Sequence, residues 1–404
     1  MGKKLLQISM MLTLIFSWTS FSVKAEEEEK KTVTVNLHDE KQIALQVKAQ
    51  VNEKPRFKYD SGIEFTYPDA VRGVYVTSHS AGGARFQDLL KLIDTTDLNA
   101  MVIDIKDDWG NLTYKPDESS PYYDISQNYI KDVREMLQVL KEKEIYPIAR
   151  IVVFKDTVLA KNKPEYSYKE NGEVWKNRRS EAFVNPFIKE VWDYNVGIAI
   201  EAAKLGFREI QFDYVRFPEG FEWRDEILEY SMGDYENLDM DNVQKRVQAV
   251  TDFVAYAKKK LEYYDVDVSV DIFGYSATIP EAPGIGQNFS KISEEVDVIS
   301  SMIYPSHWTS YFGIAKPDLE PYKLVLEYAK VENARLAELE TPPTSRPWIQ
   351  DFTASYLGAG NYLVYGKEEV EAQIRALNEQ GIFEFLLWDA GNTYTEGVDY
   401  TPLD

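Results

Sequence analysis

The chain has 404 residues, 44% hydrophobic and 13% aromatic, which is ample for a large core, and a formal charge of −22 at pH 7. That charge repels phosphate backbones and anionic bilayers, so nucleic acid and acidic membrane surfaces are excluded as partners. There is no cysteine, which excludes disulfides, thiolate metal sites and cysteine nucleophiles.

The amino-terminal segment reads as export machinery. Lys3 and Lys4 precede a largely apolar run from Leu5 to Phe16, and Val23-Lys24-Ala25 offers a cut after Ala25. Residues 1–25 are thus expected to be a signal peptide, the apolar run being short for an anchor. Loss of Lys3, Lys4 and Lys24 takes the charge from −22 to −25. The mature protein is expected to be secreted or cell-wall associated, with no membrane span. Residues 26–70 read as an acidic leader and a small β-rich extension. Its strands, Thr32 to Leu37 and Ile43 to Val47, flank a turn between Asn36 and Lys41, and a connector follows from Val51 to Pro68.

From Val71 strands and helices alternate. Strands are predicted over Val71–Ser78, Asn99–Lys106, Tyr146–Phe154, Phe207–Phe217, Val266–Phe273, Val298–Tyr304, Arg346–Phe352 and Ile382–Trp388. Helices are predicted around Phe86–Asp94, Ile125–Glu144, Pro186–Leu205, Asn242–Tyr263, Tyr322–Leu339 and Lys367–Asn378, with a short one near Ile292. Eight such alternations over residues 71–404 define an α/β fold, a (β/α)8 TIM barrel. A doubly wound open sheet is the competing layout, but no dinucleotide glycine fingerprint follows any strand.

In such a barrel, chemistry sits at the carboxyl ends of the strands. Here those ends carry His79, then Asp104, Lys106, Asp107 and Asp108, then Lys155 and Asp156, then Asp213 and Arg216 in QFDYVRFP. Asp271, Tyr304 and His307, Asp351 and Asp389 complete the ring, and the opposite ends read as poorer in such groups. Trp109, Trp308 and Trp388 fall at or just after strand ends, with Trp175 and Trp223 in adjacent loops. Flat aromatics beside carboxylates suit sugar rings, which have apolar faces and hydroxyl rims; the plainer reading is that these tryptophans cap the core.

Glycoside hydrolysis needs two carboxyl groups in different states, one to protonate the leaving oxygen and one to attack or to activate water. Asp213 is the candidate nucleophile, with Arg216 placed to hold a carboxylate or a substrate oxygen. Asp271 on the next strand is the candidate acid and Asp351 the second choice, as acid or as transition-state stabiliser. Asp104, Trp109, Arg216, Tyr304, His307, Trp308, Trp388 and Asp389 are the candidate substrate contacts. No cofactor or metal is expected.

The lines VRGVYVTSHSAGG, MVIDIKDDWG, QFDYVRFP, SVDIFG, WIQDFT and LLWDAGN together resemble a bacterial glycoside-hydrolase-like family with no assigned substrate, from about Val71 to Thr393. The resemblance implies a (β/α)8 fold distantly similar to α-amylase-type glycosidases. Those place an aspartate nucleophile after strand four, a glutamate acid after strand five and an aspartate after strand seven. Asp213 and Asp351 match the first and third places. Asp271 stands in the second as aspartate, and Gln211 stands where those enzymes have an arginine.

Three other functions compete with this reading. A metal-dependent hydrolase would want clustered histidines, and only His38, His79 and His307 exist, although Asp104, Asp107 and Asp108 form an acidic trio. A Schiff-base aldolase would need a desolvated lysine, for which Lys106 is the single candidate. The third rival is a polysaccharide-binding barrel that has lost its general acid. The reading reached is an exported glycoside hydrolase-like protein acting on an extracellular or cell-wall polysaccharide.

Overall fold

The computed structural model describes Lys30–Leu37, Lys41–Lys48 and residues 58–403. The expected signal peptide and its cut lie outside the described residues. Two compact units are present, Met1–Phe57 and Lys58–Asp404. In the first, Lys30–Leu37 pairs antiparallel with Lys41–Lys48, from Lys30 opposite Lys48 to Leu37 opposite Lys41. These strands are longer than the alternation predicts and take in the edges of the predicted turn.

The second unit is built on eight parallel strands. They are β1 (Arg72–Val76), β2 (Ala100–Lys106), β3 (Tyr146–Val152), β4 (Glu209–Asp213), β5 (Asp267–Phe273), β6 (Val298–Met302), β7 (Trp348–Gln350) and β8 (Phe385–Trp388). Each pairs with the next, and β8 pairs with β1 through Phe385–Arg72, Leu386–Gly73 and Leu387–Val74, so the sheet closes. The (β/α)8 barrel expected from the alternation is the fold. Gly73 is needed at the seam, where a Cβ would come 2.7 Å from Leu386 Cδ2.

Helices α1 (Arg85–Asp94), α2 (Val133–Glu142), α3 (Lys189–Leu205), α4 (Asn242–Leu261), α5 (Phe289–Ser293), α6 (Pro321–Leu336) and α7 (Lys367–Asn378) follow the strands up to β7. Their buried positions recur at helical spacing, as in Val133, Met136, Leu137 and Leu140 of α2. Outward strand residues meet them: Phe212 of β4 packs edge-on against Phe253 of α4, ring centroids 5.5 Å apart.

The predicted helix over Ile125–Glu144 divides in two. Ser126–Ile130 is a strand that pairs with Leu112–Tyr114, itself antiparallel to the end of β2. Asp132 then starts the helix, its side chain accepting from Glu135 N at 2.9 Å. The apolar spacing continues through this boundary, and only the cap marks it.

Side-chain bonds that span non-adjacent strands reveal which residues point into the barrel. Near the amino ends, Arg346 Nη1 donates to both carboxylate oxygens of Glu209 at 2.8 Å, and its Nε donates to Glu384 Oε2 at 2.8 Å. Tyr67, ahead of β1, accepts from Arg346 Nη2 and donates to Glu384, both at 2.8 Å. This end is thus richer in charge than the sequence reading had it, and every one of these charges is paired. Higher up, Gln211 Nε2 donates to Ser300 Oγ at 3.3 Å. At the carboxyl ends the inward residues are Tyr75, Asp104, Arg150, Asp213, Asp271, Tyr304, Trp348 and Trp388, one from each strand or its immediate end. Seven of them are less than 7% exposed, and Trp388 is half-buried.

Candidate active site

Arg150 organises the mouth. It lies on β3 within the otherwise apolar YPIARIV and is 1% exposed. Its Nε and Nη2 donate to Asp213 Oδ2 at 3.0 and 2.6 Å, Nη1 to Asp104 Oδ1 at 2.7 Å, and Nη2 to Asp108 Oδ1 at 3.1 Å. One guanidinium thus holds three carboxylates, from β2, the loop after it and β4. A planar fork of fixed donors suits this role, and an ammonium would not match it. Beneath it, Tyr75 donates to Asp104 Oδ2 at 2.6 Å. The Tyr75 ring stacks on Trp388 at 4.2 Å and 18°, and the Arg150 guanidinium lies 5.4 and 5.7 Å from the two ring centres.

Arg150 is shared among three carboxylates, and Lys155 Nζ lies 3.9 Å from one of them, Asp108. Burial raises Asp104 to about 6, with Arg150 opposing. Burial also works to raise Asp108, but Arg150 and Lys155 outweigh it and hold that carboxyl below its ordinary range. Asp271 is pushed well up, first by burial and then by the charge of Asp213. Its Oδ1 accepts from Trp348 Nε1 at 2.7 Å, while Oδ2 has no hydrogen-bond partner among the described residues. Two carboxyls on neighbouring strands therefore differ in kind: Asp213 bonded to a cation, Asp271 set in an apolar wall and favouring its protonated form.

Other candidate residues lie as follows. Tyr304 is buried beside Trp388, and burial with the charges of Asp271 and Asp213 pushes its phenol well up, leaving it a neutral donor. His307 is exposed, with Nδ1 3.1 Å from Ser306 Oγ, and desolvation lowers its pKa. Trp109 is 51% exposed. Trp308 instead packs on Tyr311, Phe312 and Tyr328 as part of the wall. Asp351 is outside the Arg150 cluster: its oxygens accept from Thr395 Oγ1 at 2.5 Å and Thr395 N at 3.0 Å. Asp389 shapes its own turn, accepting from Gly391 N and Thr393 N at 2.7 and 3.1 Å.

Arg216 does not bond to Asp213. Its guanidinium lies 4.7 Å from the Tyr214 ring centre and 4.6 Å from that of Phe273, with Nη2 3.3 Å from Glu219 Oε1. The acidic trio after β2 is likewise dispersed. Asp107 accepts from the amides of Trp109, Gly110 and Asn111, while Asp104 and Asp108 bind Arg150. Among the described residues no group of three or more His, Cys, Asp or Glu side chains is placed to hold a metal ion. Lys106 is buried and fully engaged by Asp156 at 2.6 Å, Val152 O at 2.7 Å and Asn195 Oδ1 at 3.0 Å.

Arg150, Tyr75 and Trp348 were not among the sequence candidates, although Arg150 stands directly opposite Asp104 in the pairing of β2 with β3. A signal existed for Arg150: an arginine amid a buried apolar strand must have partners.

Residues 73–394 match the family described as "Putative glycosyl hydrolase domain", and the chain belongs to that family. No curated protein matches it. Among solved structures it is similar to a hypothetical protein from Ruminiclostridium thermocellum ATCC 27405, at 31% identity and TM-score 0.42 over 49% of this chain and 96% of that one. It is also similar to the PgaB (BpsB) glycoside hydrolase domain from Bordetella bronchiseptica, at 13% identity and TM-score 0.56 over 80% of this chain and 95% of that one, a likeness of fold. The Bacillus megaterium QM B1551 spore cortex-lytic enzyme SleL aligns at 11% identity and TM-score 0.46 over 89% of this chain and 76% of that one.

Proposed function

We propose that this protein is an exported glycoside hydrolase acting on an extracellular or cell-wall polysaccharide, with Asp213 as nucleophile or activating base and Asp271 as general acid. The observation that carries the reading is the opposed environment of these two carboxyls on adjacent strands. Pairs of acids whose surroundings push them apart in protonation divide the roles that glycoside cleavage requires. Arg150 orients Asp213 through two hydrogen bonds to Oδ2. The proton on Asp271 sits on Oδ2, the oxygen that Trp348 leaves free, and passes to the departing glycosidic oxygen. Tyr304, Trp388 and Trp109 line the approach and supply flat faces for sugar rings; Asp104 acts through Arg150 and Tyr75 rather than on substrate. Membership of the glycosyl hydrolase family supports the reaction class. Export rests on the Lys3-Lys4 start and the apolar run that follows.

The test is reducing-sugar release from a panel of wall and capsule polysaccharides, with Asp213→Asn alongside. The parent is expected to release sugar and the variant to lose about a thousandfold or more in kcat while still binding glycan. Binding by both with release by neither would move the function to a polysaccharide-binding barrel.

A further inference from the structure

Tyr214, directly after Asp213, has a backbone φ of 53°, in the left-handed region that bulky side chains avoid. A residue needed only to turn the chain would be glycine or asparagine, which adopt this conformation readily. An aromatic residue held there is a strain kept for a purpose or imposed by one. Part of the purpose is visible. The left-handed turn folds the Tyr214 N–H back onto Asp213 Oδ1 at 2.5 Å, while Arg150 takes Oδ2, so both oxygens of the principal carboxylate are fixed.

A glycine would supply that N–H equally well, so the ring needs its own account. It is half-buried at the mouth, with Lys155 Nζ 4.5 Å and the Arg216 guanidinium 4.7 Å from its centre. Lys155 Nζ also lies 3.3 Å from the phenol oxygen. Having three donors and no acceptor, Lys155 fills a lone pair on that oxygen and leaves the phenol proton unused. No acceptor among the described residues takes that proton. Lys155 is itself anchored by Glu181 at 3.0 Å, which fixes the direction of the phenol. Burial raises the phenol pKa, so the proton stays on.

We propose that Tyr214 is a specificity-determining residue whose phenol donates a hydrogen bond to a hydroxyl oxygen of the sugar unit lying against Asp213. Its backbone N–H is at the same time a positioning group for that carboxylate. The proposal rests on the reading of the mouth as a glycan site, but not on cleavage. Lys155 is then a positioning residue for the phenol.

The experiment compares the full chain with Tyr214→Phe, Tyr214→Gly and Tyr214→Ala. The probes are methyl glycosides of the common hexoses and their single-position deoxy analogues, with binding read by tryptophan fluorescence and saturation-transfer NMR, and release of 4-nitrophenol from the matching aryl glycosides read in parallel. Tyr214→Phe is expected to keep the parent's melting temperature and to bind the best glycoside about tenfold more weakly. One deoxy analogue should bind parent and Tyr214→Phe equally, which names the hydroxyl that Tyr214 recognises. Tyr214→Gly should bind no better than Tyr214→Phe but melt higher than Tyr214→Ala, because it relieves the left-handed strain. Equal affinity of parent and Tyr214→Phe for every glycoside overturns the proposal, as does a parent that binds none. Binding that is weakened in Tyr214→Phe while the parent releases no nitrophenol upholds it and sinks the hydrolase reading instead.

Discussion

At the scale of single residues, the mouth of the barrel is governed by how Arg150 is shared among its carboxylates. Arg150 meets Asp104, Asp108 and Asp213 at once, and Asp271 stands beside them with only an indole N–H for company. Because the Asp271 carboxyl is raised, its protonated form persists well above the ordinary carboxylate range. Activity that needs this proton should hold through mildly acidic pH and fall as pH rises through the raised value. In Asp271→Asn that alkaline limb should disappear, with a loss of about 10²–10⁴ on substrates with poor leaving groups and a much smaller loss on activated aryl glycosides. A pH–rate profile of both proteins decides it, and an unchanged alkaline limb would remove Asp271 as the acid. Arg150 is the residue with most to lose. Arg150→Met strands three carboxylates in a buried site and should cost about 3–5 kcal/mol, read as a lower urea midpoint. Since those carboxylates would then take up protons, the loss should be smaller at pH 4 than at pH 7.

At the scale of elements, strand and helix periodicity was enough to place all eight barrel strands, because inward and outward positions differ in chemistry along each one. What it missed were changes of element inside a continuous apolar pattern. Ile125–Glu144 reads as one helix, yet Ser126–Ile130 is drawn into the sheet extension and α2 waits for Asp132. Replacing Asp132 with alanine removes the cap bond to Glu135 N and should cost about 1 kcal/mol, checked by thermal melting. No measurable loss would mean that tertiary packing alone fixes the start of α2. Strand ends were also overrun: Phe207–Phe217 reads as one strand, but β4 stops at Asp213 because Tyr214 turns left-handed. The candidate site was legible where residues sat at strand ends, as Asp104, Asp213 and Asp271 do. It was illegible where the deciding fact was a partner distant in sequence. QFDYVRFP suggests that Asp213 belongs with Arg216, whereas its cation comes from β3, 63 residues earlier. For Asp351, a catalytic candidate, and Asp389, a candidate substrate contact, the bonds to Thr395 and to the Gly391–Thr393 turn were likewise not legible in the sequence.

At the scale of the whole molecule, the barrel separates its two ends by how they treat charge. The carboxyl end gathers Asp104, Asp108 and Asp213 around Arg150, with half-buried Trp388 and Tyr214 beside them. At the amino end Arg346 bonds both Glu209 and Glu384 inside the barrel, where such groups serve stability in this architecture. Among the described residues no helix is long and apolar enough to cross a membrane. Closure of β8 onto β1 leaves the eight barrel strands themselves without a free edge, and the sheet ends instead at Ser126–Ile130, which pairs on one side with Leu112–Tyr114.

The sealed floor also decides where the folding unit begins. The family match starts at residue 73 and β1 at Arg72, but Tyr67 completes the Arg346–Glu384 cluster from outside that span. Ile63 is 1% exposed and fills the space over Gly206, and the Tyr59 N–H reaches Tyr263 O at 2.8 Å. These fourteen or so residues act as a stopper rather than a leash: they finish the underside before the first strand is laid down. A chain shortened to begin at Val71 would uncork a buried arginine and let water into the base of the barrel. It should melt several degrees below one beginning at Lys58, although both contain every strand and every residue of the mouth. Equal melting temperatures would mean that the stopper is ornamental.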